Sequence, residues 1–193
     1  LGRDDAGRTA PPHDGTRQVW RLPREGGTPG AVTRVTDGVL AFELAPDGGS
    51  LYYNVAREKT TGAWKDLREE FADLEYGHGV TRFTEVRRLD LQSWRDKQVL
   101  APEHVIWEMS LAPDGKRLGL ITTDDNELIF KEGWSRVEVL DLATGELTRI
   151  TSQKWRTDHS SPSGWIDDLA WSGDSRALGF AISYDGFASQ VWV

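Results

Sequence analysis

An all-β fold built from repeated four-stranded units is what this sequence predicts, and three observations carry the prediction. The first is a recurring phrase: LAPDGGSLYY at Leu44–Tyr53, LAPDGKRLGL at Leu111–Leu120 and WSGDSRALGF at Trp171–Phe180. Each is an apolar stretch that runs into a tight Asp-centred turn and leaves it as a second alternating strand, the pattern of a β-hairpin. The second is a strand–turn–strand phrase lying between the copies of the first. It reads VWRLPREGGTPGAVTRVT at Val19–Thr36 and VEVLDLATGELTRIT at Val137–Thr151, with a looser version at Val86–Leu100. The third is composition: nine Trp and 20 Gly in 193 residues. Large rings suit strands, and glycines suit the turns between them.

Taken in order, residues 1–17 are polar and rich in Gly and Pro, and read as a loop or lead-in. Residues 18–193 read as hairpins of the two kinds in alternation, with repeat units over about 18–56, 84–123 and 136–183. Val191-Trp192 begins a further copy. A four-stranded unit repeated every 40–60 residues or so is the sequence pattern of a β-propeller blade. A single blade cannot bury its own faces, so neighbours must stack. About three blades do not close a ring, and the expectation is a partial propeller. The chain starts at Leu1 and ends in the apolar QVWV, so it is expected to be an internal piece of a longer protein.

The units are spaced wider than a minimal blade because of insertions. The clearest spans about 57–83. Within it Trp64, Leu67, Phe71 and Leu74 recur at helical spacing, which predicts a short amphipathic helix over 63–74. Asp47 with Gly48, Asp114 with Gly115, and Asp174 occupy the hairpin turns. There a short carboxylate can accept hydrogen bonds from its own turn's backbone N–H groups, so these residues are expected to be structural.

The APDG turns at Ala45–Gly48 and Ala112–Gly115, the degenerate SGDS at Ser172–Ser175, and the phrases ending VTRVT and LTRIT resemble the WD-repeat-like propellers of the TolB-like class. The resemblance runs from about Gln18 to the end. Such blades occur in TolB-like proteins, in tricorn-type proteases and in the N-terminal propeller of prolyl oligopeptidase-family serine peptidases. The large insertions and the phrase at Glu132–Glu146 are most similar to the last group. That likeness implies a propeller that gates and positions a peptide substrate for a downstream catalytic α/β-hydrolase domain of the same parent chain. The alternatives it leaves are a TolB-like propeller that binds a protein partner without catalysis, and part of a tricorn-like protease. The lack of Cys is compatible with either cytoplasm or periplasm.

Several residues carry chemistry that a site could use, each with a competing structural reading. Glu69-Glu70 lies on the inserted helix, where two carboxylates could hold the free amine of a peptide; a solvated helix face is the competing reading. His78, between two glycines, is a candidate beside the propeller channel. Ser135 sits in Gly133-Trp134-Ser135-Arg136-Val137, which lacks the second glycine of a nucleophile elbow and precedes a strand rather than a helix. Asp158-His159-Ser160 sets triad residue types side by side, whereas triads assemble from distant positions. Asp124–Glu127 lacks the spacing of a calcium loop, and Asp167-Asp168 is equally weak. No catalytic residue, metal site or cofactor is therefore assigned. Trp20, Trp107, Trp171 and Trp192 are expected to pack between blades, and Trp94, Trp134, Trp155 and Trp165 to lie near turns as a rim.

Composition excludes several classes. With no Cys there is no disulfide scaffold, thiol nucleophile or Cys-based metal site. The formal net charge of −8 argues against nonspecific nucleic-acid binding. No apolar run is long enough for a membrane span.

Overall fold

Four antiparallel sheets follow one another along the chain. The computed structural model describes residues 10–60, 66, 69–71, 80–124, 133–160 and 164–193. The first sheet is a short pair, β1 (Trp20–Arg21) and β2 (Gly30–Ala31). Two four-stranded sheets come next: β3 (Ala41–Leu44), β4 (Ser50–Thr60), β5 (Val80–Asp90) and β6 (Asp96–Leu100), then β7 (Val105–Leu111), β8 (Arg117–Thr123), β9 (Arg136–Asp141) and β10 (Leu147–Arg149). A four-residue helix, α1 (Lys154–Thr157), leads to a three-stranded sheet of β11 (Trp165–Trp171), β12 (Leu178–Ser183) and β13 (Gln190–Trp192). In each sheet the strands pair in simple chain order. Below, the four-stranded sheets are units one and two, and the three-stranded sheet is unit three.

The first strands β3, β7 and β11 are neighbours, and the units pack face to face. This is the arrangement of propeller blades. Between units one and two, Tyr52 and Val86 meet Ile106, Met109, Leu118 and Leu140 in one apolar cluster. Between units two and three, Ile121 and Val137 meet Ile166, Phe180 and Ile182. The alternation read in the sequence supplies both layers, because successive residues of a strand point to opposite faces and each face meets a different neighbour. Thus Ile121 packs toward unit three while Leu120 packs toward unit one.

The sheets correct the frame of the repeat. The predicted units 18–56, 84–123 and 136–183 each join the outer pair of one sheet to the inner pair of the next. The hydrogen-bonded units instead cover Ala41–Leu100, Val105–Arg149 and Trp165–Trp192. The phrase order is the same in both frames; only backbone pairing, such as Tyr53↔Arg87 between β4 and β5, decides which hairpin opens a unit. The same pairing continues from Arg57↔Phe83 to Thr60↔Val80, so both ends of the predicted insertion are strand. Of the predicted helix over 63–74, residues 66, 69 and 70 are helical and Phe71 is half exposed. Trp64, Leu67, Leu74 and His78 lie outside the described residues.

Candidate functional site

The antiparallel order gives the stack two unlike ends. At one end lie the tight turns within hairpins; at the other lie the long connections between strands two and three and between successive units.

The turn end is built by short carboxylates. Asp47 Oδ1 accepts the Gly49 N–H at 2.8 Å, and Asp114 Oδ1 accepts that of Lys116 at 3.0 Å. Asp174 Oδ1 accepts the Arg176 N–H at 3.1 Å and the Ser172 hydroxyl at 2.6 Å. The Ser172 hydroxyl, then the Arg176 amide, hold the Asp174 carboxyl below its usual range. Gly48 and Gly115 sit at φ +69°, where a side chain is strained; the third copy places Ser175 there at φ +60°. Ser175 is buried, and its Oγ accepts the Asp114 N–H at 2.9 Å, tying the turn of unit three to that of unit two. Trp171 Nε1 donates to Ser110 O at 2.9 Å, and the Arg117 guanidinium lies over the Trp171 ring, bracing the same junction. Asp47, Asp114 and Gly115 come together around a cleft of about 430 Å³ that also takes in Arg88, Lys116 and Asp141.

Two further turn carboxylates do the same work and went unread in the sequence. Asp90 Oδ1 accepts from Gln92 N, Ser93 N and the Ser93 hydroxyl. Asp141 Oδ1 accepts from Ala143 N, Thr144 N and the Thr144 hydroxyl. The backbone N–H of Ser93 and of Thr144 leads in holding each carboxyl low. The shared LDL at Leu89–Leu91 and Leu140–Leu142, followed by Ser93 or Thr144, was the available signal.

The connection end carries the candidate binding residues. Glu69 and Glu70 are helical and exposed in the connection between β4 and β5. This end carries exposed Phe71 at 50%, Trp134 at 64% and Phe187 at 53%, whereas Trp94, 52% exposed, stands in the β5–β6 turn at the other end. Trp155, expected on a rim, is instead 5% exposed, because α1 turns it into the apolar cluster against Phe180. Trp165 begins β11 rather than a turn.

Ser135 is fully buried, its Oγ and carbonyl accepting from Arg156 Nη2 at 2.8 and 2.9 Å. Burial holds the Arg156 guanidinium below its usual range. The His159 ring stacks on Tyr184 at 3.6 Å with Phe187 at its edge, and Tyr184 donates its hydroxyl to Trp155 O. These side chains are bound into structure. Asp124 pairs with Arg136, which holds its carboxyl low, while residues 125–127 lie outside the described set. Asp168, at φ +60° in a bulge of β11, donates its N–H to Glu108 Oε2 at 3.0 Å.

One charged cluster near this end was missed. Glu138 on β9 is 1% exposed. Its Oε2 takes the Thr122 hydroxyl at 3.0 Å and faces His104 Nε2 at 3.1 Å, and its Oε1 accepts from Arg149 Nε at 3.0 Å. Burial alone would raise this carboxyl. His104, Arg149 and Thr122 together outweigh burial and hold it at about 2. Among the described residues no group of three or more His, Asp or Glu is placed to hold a metal ion. Among them, too, no helix is long and apolar enough to cross a membrane.

No protein-family model and no curated sequence matches the chain. Solved structures do. TolB from Acinetobacter baumannii aligns over 90% of this chain and 34% of its own, at 18% identity and a TM-score of 0.56. An oligogalacturonate lyase from Vibrio parahaemolyticus aligns over 92% of this chain and 56% of its own, at 13% identity and a TM-score of 0.51. The tricorn protease aligns over 91% of this chain and 23% of its own, at 9% identity and a TM-score of 0.45. The chain thus spans about a third of the TolB structure. At such identities the likeness speaks to fold: a TolB-like β-propeller architecture, of which this chain holds part.

Proposed function

We propose that this chain is a binding and positioning propeller that works through the connection end of its sheets and leaves bond cleavage to another domain. The observation that carries the reading is the contrast between the two ends. Tight carboxylate turns close one. The other bears the long connections, among which lie exposed Phe71, Trp134 and Phe187 and the pair Glu69 and Glu70. Binding groups concentrate on loops held by a rigid scaffold, and exposed aromatics are the side chains that anchor peptide contacts. The two glutamates suit the amine end of a peptide, and His78 is a further candidate contact for the substrate.

In the finer reading, the parent is a prolyl oligopeptidase-like serine peptidase whose α/β-hydrolase domain lies outside this chain. The long insertion between β4 and β5 favours it, and on this reading the burial of Ser135 under Arg156 leaves the nucleophile to the hydrolase domain. A second reading, a TolB-like propeller that binds a protein partner without catalysis, is favoured by the TolB alignment. The test is fluorophosphonate labelling and fluorogenic peptide turnover, run on this chain and on the full product of its gene. The peptidase reading expects no reaction from this chain and labelling of the full product at a serine outside it. Absence of labelling in both rejects that reading in favour of the protein-binding one. Turnover by this chain that Ser135→Ala abolishes overturns both.

A further inference from the structure

The first face of unit one is the odd one in the stack. Phe42 and Leu44 on β3 hold the positions of Met109 and Leu111 on β7, counting back from the Asp of each turn. Met109 is 7% exposed because unit one covers it, whereas Phe42 is 53% and Leu44 54% exposed. They line a groove of about 610 Å³ with Trp20, Leu51 and Trp94.

The pair β1–β2 borders this groove and identifies what is missing from it. Val39 N donates to Arg17 O at 2.8 Å, two residues before Val19. At the next junction Ile106, the counterpart of Val39, donates its N–H to the Thr84 hydroxyl, two residues before Val86. Val19 therefore stands where Val86 stands, and β1–β2 holds the place of a third and fourth strand. Val19, Val32 and Val35 cover the outer part of unit one's face, as Val86, Val99 and Leu100 cover unit two's. Among the described residues no strand takes the first and second places, and the groove lies there.

Trp94 gives a second sign. It takes a left-handed backbone, φ +57°, where the matching turn of unit two uses Gly145 at φ +76°. Both amides close the same turn, Trp94 N onto Asp90 O and Gly145 N onto Asp141 O. A bulky residue in this conformation is strained, and such strain gathers at binding surfaces. Here it places a 52% exposed indole on the groove wall.

We propose that this groove receives a two-stranded hairpin of the chain's own repeat type, an apolar strand, an Asp-Gly turn and a second apolar strand, carried by a further unit of the same polypeptide. The hairpin lies over Phe42 and Leu44 and hydrogen-bonds along the edge of β1 that faces away from β2. The four strands then form a unit stacked on unit one as unit one stacks on unit two. A second copy docking through its three-stranded sheet does not fit. Its third strand, β13, would claim the place β1 already fills.

The probe is a synthetic peptide with the sequence of residues 103–123, the first hairpin of unit two, added to the 193-residue chain and followed by hydrogen exchange and titration calorimetry. The expected result is saturable one-to-one binding, with new protection at Trp20–Leu22 and Phe42–Leu44. A peptide of scrambled sequence should not bind. Phe42→Asp, at a half-exposed position that spares the fold, should weaken binding about ten-fold or more. Absence of binding, or binding that Phe42→Asp leaves unchanged, overturns the proposal. So does a concentration-dependent dimer that protects Phe42 and that the peptide cannot dissociate, since a second copy is then the occupant. The connection end takes no part in this experiment, so its result is independent of the functional reading above.

Discussion

Replacing Glu138 with Gln keeps the shape of the side chain and removes its charge. The carboxylate is buried and satisfied from three sides, by Thr122, Arg149 and His104. A hydrogen bond to a charged group contributes about 1.5–3 kcal/mol, and breaking a buried pair costs about 3–5 kcal/mol. The Arg149 side chain is 47% exposed and can turn to water, so the lower part of that span applies, about 2–3 kcal/mol. For a domain of this size that lowers Tm by roughly 4–12 °C.

The sign of the pH effect follows from the depressed carboxyl. It is held at about 2 against an ordinary 4.5. Its stabilisation is fully present above 4.5 and is lost as pH falls through the folded value. Urea unfolding followed by tryptophan fluorescence, for wild type and Glu138→Gln, should therefore show a gap at pH 7 that narrows steadily below pH 4.5. A gap under about 0.5 kcal/mol at pH 7, or one that stays constant down to pH 3, would refute the reasoning.

Other substitutions probe the junctions. At Gly164 an added Cβ would lie 2.9 Å from Ile182 Cδ1 and 3.0 Å from Tyr184 Cδ1; Gly164→Ala should cost about 1–3 kcal/mol in denaturant unfolding, as overpacking does. Ser175→Ala keeps the left-handed backbone and removes the acceptor for Asp114 N, so it should destabilise by about 1 kcal/mol. Ser175→Gly loses the same acceptor but relieves the strain, and in the same assay should destabilise less than Ser175→Ala. Gly48→Ala, at φ +69° with nothing within 4 Å of the new Cβ, isolates backbone strain and should cost about 1 kcal/mol by thermal melting.

The hairpins were legible in the sequence because their turns need particular residues. An Asp that accepts from the amide two residues on, followed by a left-handed position, leaves few choices besides APDG. The unit frame was not legible, because it depends on pairing between β4 and β5 across the connection that follows Thr60. Glu138 stayed hidden for a related reason. It sits in an alternating phrase, VEVLD, as an ordinary outward residue would, and its partners come from β8, β10 and the segment before β7. Trp155 read as a rim residue because it is flanked by polar residues, yet one turn of helix carries it into the core. Of the candidate binding residues, Glu69 and Glu70 were visible as a charged pair on the helix face opposite the apolar stripe. Trp134 was visible as a rim residue near a turn, and it is exposed; the exposure of Phe187 was not visible, since it depends on which neighbours leave the ring uncovered.

Methyl- and aromatic-labelled NOE spectroscopy on the 193-residue chain tests the stacking of repeated sheets most directly. Face-to-face packing predicts cross-peaks joining Tyr52 and Val86 of unit one to Ile106 and Met109 of unit two. It also predicts cross-peaks joining Ile121 and Val137 of unit two to Ile166 and Ile182 of unit three. Cross-peaks confined to residues within single sheets would contradict it.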